Sequence, residues 1–156
     1  MVVCLVFDID DTIYENKTTQ IIYDTIQQDY ELYQLMKRIH LPKFVLTNAV
    51  YEHANIIINK LSIENLIRKV YARDNMNYMK PHIECYKAVD KDISKVVRSD
   101  DNKYIFFDDL LENLETAKQL GWSTVWINPK FHEGNNYSYV DRSFRTLKDA
   151  LKELNF

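Results

Sequence analysis

Carboxylates crowd two places in this chain in a way that solvation alone does not explain. Asp8, Asp10 and Asp11 fill three of four consecutive positions ahead of Thr12, and Asp108-Asp109 follow directly on the apolar Phe106-Phe107. Two unit charges about 4 Å apart repel by ~4 kcal/mol at an effective dielectric near ~20, so such crowding persists mainly where a cation relieves it. An oxygen-only ligand set suits Mg²⁺. Two further positions supply what a phosphoryl group needs: Thr47, a hydroxyl beside the Asn48 amide, and Lys80, an ammonium ahead of Pro81. A hydroxyl donor, backbone N–H groups and one ammonium can hold phosphate oxygens against a metal ion. Taken singly, each has an ordinary reading: acids in solvated turns that stop strands, a threonine that caps, a lysine in solvent. Their order along the chain is what joins them.

The elements that must position these residues are legible as short apolar runs alternating with amphipathic stretches. Val2 to Phe7, Phe44 to Leu46, Tyr104 to Phe107 and Thr124 to Ile127 read as strands buried on both faces, and Val70 to Ala72 as a weaker one. Tyr51 to Leu61, Ile83 to Val89 and Leu111 to Leu120 carry helical spacing, with Leu110, Leu114, Ala117 and Gly121 along one face of the last. Thr18 to His40 reads as one long helix, N-capped by Thr18 or Thr19, with Ile22, Ile26, Tyr30 and Tyr33 on one side and Leu41-Pro42 ending it. Ser143 to Leu154 reads as a closing helix with Phe144, Leu147, Leu151 and Leu154 inward. Strands alternating with helices predict an α/β domain with a mostly parallel sheet. Parallel strands carry their carboxyl ends to one edge, so both acidic groups, Thr47 and Lys80 are expected to meet there.

Composition excludes several alternatives. The 156 residues fit one domain, long enough to bury roughly 70% of the unfolded surface. Only Gly121 and Gly134 are glycines, so there is no dinucleotide-binding or Walker-type phosphate loop. The net charge of −3 disfavours nucleic acid and anionic membrane as partners. Cys4 and Cys85 can form at most one disulfide and no cysteine-rich zinc site, and Cys4 reads as a small core residue. The Val2–Phe7 run is far shorter than the ~18 residues of a membrane span, and no leader pattern is present, which predicts a cytoplasmic protein. His40, His53, His82 and His132 lack paired metal spacing, and Trp122 and Trp126 read as core or edge residues.

The four motifs, in their order, resemble those of the haloacid dehalogenase-like (HAD) superfamily of phosphatases and phosphotransferases. DxDxT lies at Asp8 to Thr12, the threonine at Thr47, Lys-Pro at Lys80-Pro81 and the acidic pair at Asp108-Asp109, and the likeness runs from Val2 to about Pro129. Thr47-Asn48-Ala49 followed by His53-Ala54 resembles the branch that contains pyrimidine 5′-nucleotidases, which draws attention to His53. Response-regulator receivers also combine acids, a threonine and Lys-Pro. They place the acceptor aspartate after the third strand and the lysine last, which this chain does not.

The resemblance implies a three-layer Rossmann-like fold and a Mg²⁺-dependent phosphatase working through an aspartyl-phosphate. Asp8 would be the nucleophile and Asp10 the general acid and then base. Mg²⁺ would be held by the Asp8 carboxylate, the Asp10 carbonyl and Asp109, with Asp108 and Asn113 orienting its waters. Thr47, Lys80 and the backbone N–H groups of Asn48 and Ile9 would hold the phosphate. Dehalogenases of the superfamily lack the second aspartate, so Asp10 favours phosphoryl transfer.

Neither the stretch between Asp8 and Thr47 nor that between Thr47 and Lys80 has room for a full cap domain. The expected organisation is therefore a single domain over 1–156, with a short helical insertion at 14–42 in place of a cap. The substrate is expected to be a phosphorylated small molecule or macromolecule, a nucleotide 5′-monophosphate among the candidates, with a homo-oligomer as one way to cover an open site. The competing expectation is a catalytically idle HAD-fold interaction module, from which the complete motif set separates this chain.

Overall fold

The Val2–Phe7 run becomes the central strand because its side chains are taken up on both faces. In this computed structural model, which describes residues 1–16 and 23–156, Leu5 and Phe7 enter one core and Cys4 and Val6 the other. Around β1 (Val2–Phe7) lie β2 (Lys43–Leu46), β3 (Lys69–Tyr71), β4 (Asn102–Asp108), β5 (Ser123–Ile127) and β6 (Arg142–Phe144). The sheet order is β3-β2-β1-β4-β5-β6 and every neighbouring pair is parallel. The strand order reverses between β1 and β4, which opens a crevice at their carboxyl ends.

Among the described residues, five α-helices cover the sheet. Residues of α1 (Tyr30–Lys37), α2 (Tyr51–Lys60) and α5 (Leu147–Glu153) pack with Leu5, Phe7, Val45 and Phe107 on one face. Those of α3 (Ile83–Val97) and α4 (Leu111–Gln119) pack with Val6, Phe44, Leu46 and Phe106 on the other. The result is a three-layer, Rossmann-like α/β arrangement. Trp122 and Trp126 are both buried in the second core, with Trp122 against Tyr86, Tyr104 and Phe106. Gly121, at φ +80°, makes the left-handed turn that ends α4 and returns the Trp122 N–H to the Ala117 carbonyl. Cys4 and Cys85 are free and buried. Among the described residues no helix is long and apolar enough to cross a membrane.

Three expectations need correction. Within the described part of the helix expected over Thr18–His40, the α-helix is confined to Tyr30–Lys37, after a 3-10 turn at Tyr23–Thr25; residues 18–22 lie outside the described residues. Its N-cap is Asp29, whose side chain accepts the Leu32 N–H at 2.9 Å; the caps expected at Thr18 or Thr19 lie outside the described residues. The closing helix starts at Leu147 with Thr146 as its cap, and Phe144 belongs to β6, paired with Ile127 of β5. Leu110 is not on the buried stripe of α4: it precedes the helix and is exposed.

Candidate functional site

β1 and β4 end in register, Phe7 opposite Phe107, so Asp8 and Asp108 arrive together at the crevice. Both are buried. Lys80 lies between them: its Nζ donates to Asp8 Oδ1 at 3.0 Å, to Asp108 Oδ2 at 2.7 Å and to the Leu46 carbonyl at the end of β2 at 2.8 Å. Burial works against the Lys80 ammonium, yet Asp108 and Asp8 outweigh it and raise its pKa above the ordinary lysine value. One cation therefore serves two carboxylates, and the third, Asp109, is left over.

The repulsion that remains is visible in the titration of the cluster. Burial first, and then Asp108, push the Asp8 carboxyl up to about 6 despite Lys80. Burial, Asp108 and Asp8 push Asp109 up to about 9. Ligand oxygens of Asp8, Asp108 and Asp109 all lie within 4.8 Å of one another. Asp108 is fully engaged, since besides Lys80 it accepts the Leu110 N–H at 2.9 Å and the Asn113 amide at 3.2 and 3.3 Å. Asp8 and Asp109 are thus the carboxylates with capacity to spare. Asn113 Oδ1 is buried and meets no donor among the described residues, as an acceptor for a metal-bound water would be. Hard oxygens, excess negative charge and an orphaned acceptor fit Mg²⁺.

Asp10 stands apart from that cluster. A tight turn after β1, with Thr12 and Ile13 N–H groups on the Ile9 carbonyl, sends alternate side chains in different directions. Thr12 returns its hydroxyl to Asp8 Oδ2 at 3.1 Å, and Tyr14 returns its own to Asp10 Oδ1 at 2.5 Å. Burial and then Asp10 hold the Tyr14 phenol far above its ordinary pKa, so it remains a donor. His53 of α2 lies 2.8 Å from the same Asp10 oxygen and 2.8 Å from the Tyr23 hydroxyl. Asp11, at φ +59°, turns outward and is exposed. The crowding read at the end of β1 is therefore divided: one acid goes to the cluster, one beside it and one to solvent.

Thr47, buried at the end of β2, accepts the Ala49 N–H on its hydroxyl at 3.1 Å. The Asn48 side chain does something the sequence did not suggest. It donates to the Lys80 carbonyl at 2.9 Å and accepts the Lys80 N–H at 3.0 Å, tying the loop after β2 to the loop before α3. Tyr14 and Tyr23 were not singled out from sequence. For Tyr14 the signal was its spacing of four residues from Asp10 across a turn; for Tyr23 there was none, because its contact is made through α2. The remaining histidines do not join the site: His82 caps α3, accepting the Glu84 N–H, while His40 and His132 are exposed.

A parallel sheet with this strand order, acids after β1 and β4 and a lysine before α3, defines the class: the chain has the fold of haloacid dehalogenase-like hydrolases. A phosphoglycolate phosphatase-like protein from Lactobacillus plantarum superimposes with a TM-score of 0.69 at 13% identity, over 96% of this chain and 97% of that one. A magnesium-bound HAD hydrolase from Bacillus subtilis gives 0.66 at 17% identity, over 86% of this chain and 59% of that one. The L-2-haloacid dehalogenase of Xanthobacter autotrophicus gives 0.61 at 14% identity over 83% of this chain, which spans 62% of the dehalogenase. No family model and no curated protein sequence matches the chain.

Proposed function

We propose that the protein is a Mg²⁺-dependent phosphomonoesterase that works through a phosphorylated Asp8. The observation that carries this reading is the pairing of two differently placed carboxylates, Asp8 buried against Lys80 and Asp10 partly exposed beside it. Asp8 is restrained from both oxygens, by Lys80 and Thr12, and attacks phosphorus in line with the leaving oxygen. Protonated Asp10 gives its proton to the leaving alkoxide, and as carboxylate it later takes one from the water that hydrolyses the Asp8 ester. Thr47 and the N–H groups of Ile9 and Asn48 hold the phosphoryl oxygens, and Lys80 joins them by exchanging one of its three present bonds. Asp8, Asp109 and the Asp10 carbonyl are the groups that would bind Mg²⁺, with Asn113 orienting a metal-bound water. When bound, the ion offsets the charge of the phosphate and carboxylates. Asp108 supports Lys80.

Dehalogenation is the competing chemistry, because a dehalogenase shares the fold. It expels halide, which needs no proton, and so gives an acid at Asp10 nothing to do. The test is hydrolysis of p-nitrophenyl phosphate with and without Mg²⁺, beside chloride release from 2-chloropropionate. Mg²⁺-dependent phenolate release without chloride release is the expected result. Chloride release alone, or inertness to both, would sink the phosphatase reading.

A further inference from the structure

The carboxyl proposed as acid and base is not free to rotate. Asp10 Oδ1 receives the Tyr14 hydroxyl at 2.5 Å and faces His53 Nε2 at 2.8 Å. A carboxyl oxygen in this position only accepts, so Nε2 carries the hydrogen. The other nitrogen of a neutral ring is then an acceptor, and the Tyr23 hydroxyl, 2.8 Å from Nδ1, is its donor. Of the two neutral tautomers, only the one with its hydrogen on Nε2 satisfies all three contacts. The His53 side chain is 9% exposed and that of Asp10 35%, so the ring is enclosed while the carboxyl still faces outward.

We infer that His53, held in its tautomer by Tyr23, is a positioning residue for Asp10: with Tyr14 it saturates Oδ1 and leaves Oδ2 as the oxygen that moves the proton. The inference rests on the phosphatase reading above. In the first half-reaction the bond from Asp8 to phosphorus forms, the bond to the leaving oxygen breaks, and the proton on Asp10 Oδ2 passes to that oxygen. In the second, water oxygen bonds to phosphorus, the Asp8–phosphorus bond breaks, and a water proton returns to Oδ2. Half a rotation of the protonated carboxyl would turn its O–H toward the two donors and present the oxygen that carries no proton. Fixing it removes unproductive orientations from both steps.

A merely structural His53 would pin α2 to the Tyr23 turn and affect all substrates alike. The two roles separate by leaving group. Nitrophenolate departs without an acid, whereas an alkoxide does not, so the parent, His53→Ala, His53→Gln and Tyr23→Phe are compared with saturating Mg²⁺ on p-nitrophenyl phosphate and on glycerol phosphate in rapid-mixing experiments. His53→Ala is expected to lose about 10–100-fold in kcat on the alkyl ester with little change in KM. On the aryl ester its first turnover keeps the parental rate and only later turnovers slow, producing a burst. His53→Gln, whose amide N–H can reach Oδ1, restores most of the loss, and Tyr23→Phe loses less, about 2–5-fold. If His53→Ala does not fold, Tyr23→Phe carries the comparison. Nitrogen NMR of the substrate-free parent, recorded where the His53 ring is neutral, gives a readout apart from turnover, with the hydrogen expected on Nε2. Equal losses in the first turnover of both esters, no loss on either, or a neutral ring with its hydrogen on Nδ1 would overturn the inference and leave the phosphatase reading standing. A parent inert to both esters would remove that reading and the inference with it.

Discussion

Asp8 and Asp10 differ by two positions and by almost everything else. Asp8 is buried, ion-paired with Lys80 and bonded by Thr12, whereas Asp10 is partly exposed and bonded by Tyr14 and His53. Their substitutions are therefore expected to fail differently. Asp8→Asn removes the proposed nucleophile and one of the proposed metal ligands and is expected to abolish turnover. Asp10→Asn keeps the fold and Mg²⁺ affinity but loses about 10²–10⁴-fold in rate, measured on an alkyl phosphate. Normal turnover by Asp8→Asn would end the covalent scheme. The same cluster makes stability depend on pH. A group whose pKa is raised on folding holds its proton more tightly folded than unfolded, so its contribution is present at low pH and lost as pH rises through the folded value. Asp8 at about 6 and Asp109 at about 9 place that loss across neutral pH. The Tm of the metal-free protein is expected to fall between about pH 5 and about pH 9, with Asp109→Asn flattening the fall. If Mg²⁺ binds the charged carboxylates as proposed, it is expected to raise Tm more at the alkaline end of that range. A metal-free Tm that climbs through the range would show that the carboxylates are not in conflict.

Strand ends meet only if the loops that follow them are held, and Asn48 is the tie between two of those loops. Its amide satisfies both backbone groups of Lys80, so Asn48→Ala leaves an N–H and a carbonyl without those partners, at a cost of about 1–3 kcal/mol in unfolding free energy. Thr47 and Lys80 lose their common frame, so KM for the phosphoester is expected to rise in the same variant. Asn48→Asp retains an acceptor for the Lys80 N–H but turns an oxygen toward the Lys80 carbonyl, and is expected to recover only part of either loss. Denaturant unfolding and steady-state kinetics on the same preparations check both. The sequence carried the long strands and not this tie for a physical reason. β1, β2, β4 and β5 are buried on both faces and so are written as continuous apolar runs. β6 has one buried residue in three, Phe144, and its helix-like spacing to Leu147 and Leu151 misassigned it. The stretch before α1 offered apolar residues at helical intervals, but the cap at Asp29 sets where the described helix begins. Likewise Asp8, Thr47, Lys80 and Asp108-Asp109 stood out by type and order. The partners of Asp10 did not, because Tyr14, Tyr23 and His53 become a set only through a turn and a packed helix.

The whole molecule bears on what kind of phosphoester such a site can use. The stretches between Asp8 and Thr47 and between Thr47 and Lys80 also carry α1, β2, α2 and β3 among their described residues, so a full domain built over the crevice is not expected. The dehalogenase that shares the fold is longer, this chain spanning 62% of it. With few groups beyond the phosphate to contact, a small substrate brings little remote binding energy to position its reacting centre. Weak discrimination and high KM values across nucleotides and sugar phosphates are the expected outcome for a monomer. Two arrangements would escape that limit: a phosphorylated macromolecule that brings its own surface, or a second copy of the chain acting as a lid. The net charge of −3 disfavours a polyanion as the macromolecule. Measuring kcat/KM over a panel of phosphorylated metabolites and phosphopeptides, with oligomeric state determined on the same sample, separates these cases. Flat, low values for small phosphates beside a higher value for a peptide would favour the macromolecule. Selectivity that appears only as the protein associates would favour the lid. Strong preference for one small phosphate by a proven monomer would refute the open-site argument and turn attention to the Thr18–His40 stretch, whose Tyr23 meets His53, as the source of specificity.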